Sequence, residues 1–342
     1  PNTTIRDESE VYDMKVNVLV DGVPVINPIV GGVFYEGLHV PLTEIRRIEV
    51  IKGPGGTIYG ANSATGVINI VTKNAEQSEG FAARVETGTR GHVSAVLRHG
   101  RRLNDRVSVS SYVAARYHRG YPRNPDFVGQ KVTAETDAGS TVVIPNKFDN
   151  EEEGRNAGVV SGIDLLARIT DNLTLTGNAW YQNSSSLEYS LMSFAYPDSG
   201  GPRPPDSIWL EDSRYENTLI HARMDYRFND THQAFFNAYW FKYLSAYLPA
   251  TDLGHVSPTY GITEFEVQDN LLLLRDRPVS LEMIGGANLR IVDYDINERE
   301  SSSRVFVDPV NTEYLAAVFM RDKLSFMDMV DLIAGVKAEF WT

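Results

Sequence analysis

Three absences narrow what this sequence encodes. It contains no cysteine, which excludes a disulfide scaffold, a thiol nucleophile and a thiolate metal site. Acidic residues outnumber basic ones by 45 to 32, and the net charge of −13 argues against a general nucleic-acid binder. No run of about 18 apolar residues occurs, so no transmembrane helix is predicted. Membrane strands stay possible, because they alternate apolar and polar residues and need no such run.

The first 75 residues are short apolar runs separated by glycine and proline. The opening segment PNTTIRDESEVYDMK has neither a basic n-region nor an apolar h-region, so it is not expected to be a signal peptide. Residues 16–20 alternate and are followed by Asp21-Gly22, which predicts a strand ending in a tight turn. One helical turn is predicted over residues 43–47, and the other runs are predicted to be short strands.

After residue 75 the sequence becomes regular, with alternating stretches of roughly 10 to 15 residues that predict about eleven strands. The strands are predicted at 80–88, 92–102, 106–119, 158–169, 173–184, 214–228, 232–247, 262–275, 279–295, 312–321 and 328–341. Long connections lie near 120–157, 184–213, 249–261 and 297–311. Short ones are predicted at Asn104-Asp105, Asp171-Asn172, Asn229-Asp230, 275–278 and Asp322-Lys323.

These strands are longer than the 5 or 6 residues common in soluble sheets, and about 9 to 11 residues suffice to cross a bilayer. Their faces differ, as in 158–169, where Ile163 and Leu165 oppose Asp164 and Arg168. Such a polar face is too charged for a dry core but suits a wide, wet or plugged lumen. Short turns on one side and long loops on the other indicate an outer-membrane β-barrel.

Aromatic residues are dense near several strand ends. We interpret them as a girdle at the membrane interface, although aromatic residues also favour strands in general. They are Trp180, Tyr181, Tyr239, Trp240, Phe241, Tyr243, Tyr247, Phe340 and Trp341.

The most specific segment is IRRIEVIKGPGGTIYGANSATGVINIVTK, residues 45–73, preceded by VLVDGVPV at 18–25. It resembles the second half of the plug domain of TonB-dependent outer-membrane receptors, whose pattern is roughly I-E-R-I-E-V-I-R-G-P, Y-G and G-V-I-N-I-x-T-K. Lys52 stands where arginine is commoner. The matching motif residues include Gly53, Pro54, Tyr59, Gly60, Gly66 and Asn69.

The resemblance implies a mainly β fold, in which a partial α+β plug lies inside an incomplete transmembrane antiparallel barrel. Residues 1–78 would be the C-terminal part of the plug, and 79–342 the N-terminal half of the barrel. Family barrels close about 22 strands around the plug, so this chain would supply half of them. The N-terminal TonB box would then lie outside the chain, and the chain alone is expected to form an open half-barrel.

The resemblance also implies the function of an outer-membrane receptor of a Gram-negative bacterium that takes up a scarce ligand. Its partners would be TonB with its inner-membrane energising complex, outer-membrane lipid and a ligand, first of all a ferric siderophore. Haem, cobalamin, other chelates and carbohydrates are alternative ligands. A passive barrel or adhesin is a different class, which a lumen-filling plug argues against. A soluble carbohydrate-binding β protein should have shorter strands and fewer charges on its polar faces.

Two groups of plug residues are candidate functional residues. Asn27, Phe34 and Tyr35 lie in a glycine-containing loop that the resemblance places at the external apex, so they are predicted to contact ligand. The alternative for both aromatic side chains is packing inside the plug. Arg47, with Arg46, is predicted to pair with a carboxylate on the barrel, because a charge inside a lumen is costly unless it is paired.

Other chemistry finds little support in the sequence. Residues 55–60 have the glycine spacing of a phosphate loop, but Ala61-Asn62 replaces the Lys-Ser/Thr that binds phosphates. The Glu151–Glu153 run is interpreted as a solvated, self-repelling loop. The seven histidines form no HExxH motif, and no Ser/His/Asp arrangement can be assigned from spacing. We therefore expect no enzyme activity, no resident metal and no cofactor.

Overall fold

The chain folds into β-sheets in the computed structural model. The structure describes residues 16–27, 32–33, 35, 37–53, 63, 65–120, 132–135, 141–144, 155–190, 209–248, 255–274, 278–299, 312–327 and 329–342. These residues form one four-stranded, one eleven-stranded and one two-stranded sheet. Within the described part of the chain, no helix is long and apolar enough to span a membrane.

The four-stranded sheet, called the plug sheet below, has the order β2-β1-β4-β3. Its strands are β1 (Val16–Val20), β2 (Val23–Pro24), β3 (Ile45–Lys52) and β4 (Gly66–Thr72). β1 runs parallel to β4 and forms a hairpin with β2. The predicted turn at Asp21-Gly22 is confirmed, with φ of 51° and 84°, the left-handed pair of a type I′ turn.

The predicted helical turn over residues 43–47 is wrong, because β3 begins at Ile45. Pairing with β4 fixes this segment as extended, from Ile45 opposite Thr72 to Lys52 opposite Gly66. Only a short turn precedes β3, in which the Glu44 amide donates to the Pro41 carbonyl at 2.9 Å. Tertiary strand pairing therefore overrides the local signal.

The eleven-stranded sheet, called the wall below, is an antiparallel meander whose strands pair in chain order. The prediction of eleven strands is confirmed. Among the described residues the first and last wall strands, β5 and β17, each pair on one side only. The wall strands are β5 (Gly80–Thr87), β6 (Val93–Arg102), β7 (Val107–His118), β10 (Asn156–Arg168), β11 (Leu173–Ser190), β12 (Trp209–Asn229), β13 (His232–Leu248), β14 (His255–Leu273), β15 (Val279–Arg299), β16 (Thr312–Phe326) and β17 (Val330–Trp341).

Two further strands and two 3-10 turns complete the elements of the described residues. The strands β8 (Val132–Glu135) and β9 (Thr141–Ile144) pair with each other in the long connection between β7 and β10. A 3-10 turn at Glu76–Ser78 lies between the plug sheet and the wall. A second 3-10 turn, Thr89–Gly91, connects β5 to β6.

The predicted turn at Asp322-Lys323 is wrong, because both residues lie inside β16. Strand pairing continues to Phe326, which faces Val330 of β17. Lys323 also forms an ion pair with Asp331 across these two strands, with Nζ 3.0 Å from Oδ2. The polar pair thus lies between strands rather than in a turn.

The two faces of the wall carry different chemistry. Apolar side chains such as Ile163, 61% exposed, and Phe228, 51% exposed, point away from the plug sheet. The girdle interpretation is wrong for Tyr239, Phe241 and Tyr243, which are 4%, 1% and 5% exposed. Side chains alternate along β13, and these three point toward the plug sheet. Trp240 between them points outward.

Candidate functional site

The plug sheet is seated in an aromatic pocket on the inner face of the wall. Val23, which follows the Asp21-Gly22 turn, enters this pocket and is completely buried there. Four consecutive wall strands, β12 to β15, supply the side chains of the pocket, so the pocket forms only when these strands are paired. Its buried members are Tyr215, Leu219, Tyr239, Phe241, Tyr243, Tyr260, Ile262 and Val292.

A polar clamp holds the plug chain next to this pocket. The Gly37 carbonyl accepts hydrogen bonds from Gln182 Nε2 and, at 2.9 Å, from Asn217 Nδ2. The Gln182 Oε1 in turn accepts the backbone N–H of His39 at 2.9 Å. A Cβ on Gly37 would lie 2.8 Å from the Tyr215 ring, so only glycine lets the chain approach this closely.

A small polar crevice, partly open to solvent, lies between plug and wall beside the clamp. Asp21 lies in it and accepts hydrogen bonds from the backbone and side chain of Thr72, both at 2.7 Å, and from Asn178 at 3.3 Å. Burial raises the pKa of Asp21. Glu44 also lines the crevice, and its carboxylate lies 3.9 Å from Arg98 Nη1.

His39 forms part of the crevice lining and should make plug stability pH-dependent. Burial, and to a smaller extent Arg116 on the wall, lowers the pKa of His39 from 6.5 to about 4. As the pH falls, the unfolded chain therefore binds a proton at His39 before the folded chain does. The contribution of His39 to the free energy of unfolding is complete above pH 6.5 and is lost toward pH 4.

We expect His39→Gln to flatten this part of the pH dependence, because glutamine does not titrate. The measurement is the guanidinium unfolding midpoint of the protein in detergent between pH 4 and 6.5. Asp21 lines the same crevice and is unchanged in the variant, so its contribution to the slope is the same in both proteins. An identical slope in both proteins would contradict the prediction.

Asn69 is a polar residue of the plug motif, and its side chain forms two hydrogen bonds within the plug. Its Oδ1 accepts the Gly22 N–H at 3.1 Å, and its Nδ2 donates to Glu49 at 2.9 Å. One side chain thus connects the hairpin turn to the edge strand β3. Hydrogen bonds from Asn69 and then Arg47 hold the pKa of Glu49 below its ordinary value.

Two motif glycines have distinct structural roles. Gly53 has a φ of 106°, a conformation that favours glycine, and its N–H donates to the Thr65 carbonyl at 3.0 Å. Gly66 is buried at the start of β4, where it faces Val16 of β1. The motif residues Pro54, Tyr59 and Gly60 lie outside the described residues.

The plug arginines make different contacts from those that the sequence suggested. Arg47 pairs with Glu49 of its own strand at 2.6 Å, and Arg46 is exposed. A barrel carboxylate for either residue stays a prediction.

Two described ion pairs between residues 1–78 and the wall have the opposite polarity. Glu44 lies 3.9 Å from Arg98, and Glu76 pairs with Arg168 at 2.5 Å. The sequence analysis did not predict either pair, although the inward positions of the strands identify wall charges as candidates.

Of the three predicted ligand residues, Asn27 and Tyr35 are described, and neither is fully exposed. Asn27 is buried, its N–H donates to the Gly32 carbonyl at 2.9 Å, and it lines a second, small crevice. Tyr35 packs against the plug core formed by Val18, Val20 and Val25. Phe34 lies outside the described residues. Ligand contact by these residues stays a prediction.

The described residues show no group of three or more His, Asp, Glu or Cys side chains placed to hold a metal ion. The site is thus an interface that combines a dry pocket, a neutral hydrogen-bonded clamp and a charged crevice. The plug and the wall are therefore held together by apolar packing, by neutral hydrogen bonds and by charged contacts.

Comparison with known proteins shows what the chain is similar to. The family model of the TonB-dependent Receptor Plug Domain matches residues 1–67, which include the strands β1, β2 and β3 of the plug sheet. The N-terminal part of the chain is therefore similar to the plug domain of TonB-dependent outer-membrane receptors.

Two curated relatives each match less than a quarter of the chain. The vitamin B12 transporter BtuB of Vibrio vulnificus is 45% identical over 75 residues, which cover 22% of this chain and 12% of that protein. The iron-regulated outer membrane virulence protein of Vibrio cholerae is 36% identical over 78 residues, covering 23% and 11%. Both alignments span a small part of the relative's length.

The structural similarity to solved proteins also includes the wall. The ferric-catecholate import receptor Fiu of Escherichia coli K12 superimposes with a TM-score of 0.62 at 13% identity. The match covers 95% of this chain and 52% of that one. The chain therefore spans about half the length of the solved receptor that it matches.

Proposed function

We propose that the complete receptor imports a scarce ligand across the outer membrane, driven by TonB and its inner-membrane energising complex. Residues 1–78 would serve as plug and residues 79–342 as half of the barrel. The supporting observation is the seat of Val23 and Gly37 on the inner face of the wall, which lets the plug block the lumen. An outer membrane offers no ATP, so movement of a seated plug needs a partner in the periplasm.

We propose a ferric siderophore as the ligand. Support comes from the similarity to the iron-regulated outer membrane virulence protein of Vibrio cholerae. Cobalamin is the second candidate, because a vitamin B12 transporter is 45% identical to this chain over 75 residues. Haem, other chelates and carbohydrates are further alternatives within the same mechanism.

The test is binding and uptake by the complete receptor. Purified receptor is titrated with ferric enterobactin, ferric citrate, haem and cyanocobalamin, and uptake of each is then compared in cells with and without TonB. We expect tight binding of one ferric siderophore and loss of its uptake without TonB. Cobalamin binding alone would select the second candidate. Uptake that does not need TonB would contradict active transport and favour a passive barrel.

We also propose that Asn27, Phe34 and Tyr35 contact the ligand. Alanine at all three positions is expected to weaken binding in the titration while the barrel stays folded. Lys52→Ala, at an exposed plug residue on β3, is the matched control and should leave binding unchanged. Unchanged affinity in the triple variant would reject the assignment.

A further inference from the structure

We infer that the Asp21-Gly22 turn is a latent modification site, at which isoaspartate would form if Asn69 and Thr72 did not hold the reacting groups apart. In an Asp-Gly dipeptide the glycine nitrogen can attack the aspartate carboxyl group, because glycine has no side chain to hinder the approach. The sequence contains this one Asp-Gly dipeptide and no Asn-Gly dipeptide. The inference concerns the chemical integrity of the plug and does not depend on which ligand is taken up.

The reaction needs no reagent other than water. A bond forms between the Gly22 nitrogen and Asp21 Cγ, and the amide proton leaves with the carboxyl hydroxyl as water, which gives a cyclic imide. Water then adds back to the imide. When it cleaves the bond between the nitrogen and the Asp21 backbone carbonyl carbon, Gly22 stays attached to Cγ and the residue is isoaspartate. The main chain has gained one methylene group, and the mass of the protein is unchanged.

The plug sheet holds both reacting groups in hydrogen bonds. The Gly22 N–H donates to Asn69 Oδ1 at 3.1 Å, so the nitrogen is directed away from the carboxyl group. The backbone N–H and the hydroxyl of Thr72 donate to the two oxygens of Asp21, each at 2.7 Å. Ring closure therefore has to break hydrogen bonds on the nucleophile and on the carboxyl group before the bond forms.

Packing does not provide this protection. Gly22 is exposed to water, and a Cβ built on it would meet no atom within 4 Å beyond its chain neighbours. Asn178 of the wall adds one longer hydrogen bond to Asp21, at 3.3 Å. Asn69 and Thr72 both belong to β4, so the protection resides mainly in one strand of the plug sheet.

Isomerisation would disturb the residue that seats the plug on the wall. Val20 and Val23 are paired on either side of the turn, and Val23 is completely buried in the aromatic pocket. A type I′ hairpin joins its strands through two residues of normal backbone length. An additional methylene group breaks this geometry, so the register that places Val23 in the pocket would be lost.

The test measures isoaspartate in wild-type protein and in Asn69→Ala during parallel incubation in detergent at neutral pH and physiological temperature. Labelling by isoaspartyl methyltransferase quantifies the product, and electron-transfer fragmentation assigns it to Asp21. We expect Asn69→Ala to form isoaspartate about fivefold faster than folded wild type, the factor that one neutral hydrogen bond typically contributes. Thr72→Val loses the hydroxyl donor and keeps the N–H, and it should also react faster than wild type.

Glu49→Gln is the matched control, because it changes the partner of Asn69 Nδ2 and leaves Oδ1 in place for Gly22. Its rate should equal that of wild type, and equal rates in Asn69→Ala and Glu49→Gln would overturn the inference. Wild-type protein unfolded in guanidinium gives the unprotected rate. A folded wild-type rate as fast as this one would also overturn the inference, and this comparison needs no variant that has to fold.

Discussion

Gly37→Ala is expected to unseat the plug and make the receptor leaky. The added Cβ would lie 2.8 Å from the buried Tyr215 ring, so the ring or the plug backbone has to move. Overpacking of this kind costs about 1–3 kcal/mol, and movement of Gly37 also disturbs the hydrogen bonds from Gln182 and Asn217. The measurement is killing of TonB-deficient cells by a large hydrophilic antibiotic that porins exclude.

Gly177→Ala in the wall is the matched control for this experiment. A Cβ there would meet the His221 carbonyl at 3.6 Å, an ordinary contact, so these cells should stay resistant. Equal resistance of cells that carry folded Gly37→Ala receptor would show that the close approach at Tyr215 does not seat the plug.

Arg290→Met is expected to destabilise the wall strongly. The Arg290 Nε donates to Glu264 at 2.5 Å, and Tyr239 and Asn288 donate to the same carboxylate at 2.7 and 3.2 Å. Loss of the guanidinium leaves a buried carboxylate without its counter-charge, which typically costs about 3–5 kcal/mol. A lower guanidinium unfolding midpoint of the receptor in detergent would report this loss.

Two variants isolate the unpaired charge as the cause. Glu264→Gln in the Arg290→Met background removes the orphaned charge and should recover part of the stability. Arg223→Met breaks a more exposed pair with Asp225 and should cost less than about 1 kcal/mol. Equal losses from Arg290→Met and Arg223→Met would show that burial does not govern the wall pairs.

Much of the wall could be predicted because strand periodicity is a local property. Alternation of apolar and polar residues located all eleven strands, and Asp21-Gly22 determined the plug hairpin through its left-handed backbone. The exception at Asp322-Lys323 is instructive. A charged dipeptide has the composition of a turn, but the ion pair of Lys323 with Asp331 of β17 accommodates it within a strand.

The interface could not be predicted, because it depends on partners that are distant in sequence. The density of aromatics near Tyr239 suggested a lipid contact, whereas the register of β13 turns alternate rings toward the plug. Arg47 looked like the plug's charged contact, yet Glu49 two residues away satisfies it. Nothing local marks Gln182 as the partner of Gly37, since only the folded sheet brings them together.

The seat of Val23 has a consequence for how the protein is made. Val23 leaves the ribosome early, but the pocket that receives it includes Tyr260 and Val292, which are synthesised much later. The plug therefore has no finished seat until β12–β15 have paired, and its apolar hairpin has to be kept from aggregating until then. The pairing of these four wall strands therefore has to precede the seating of Val23.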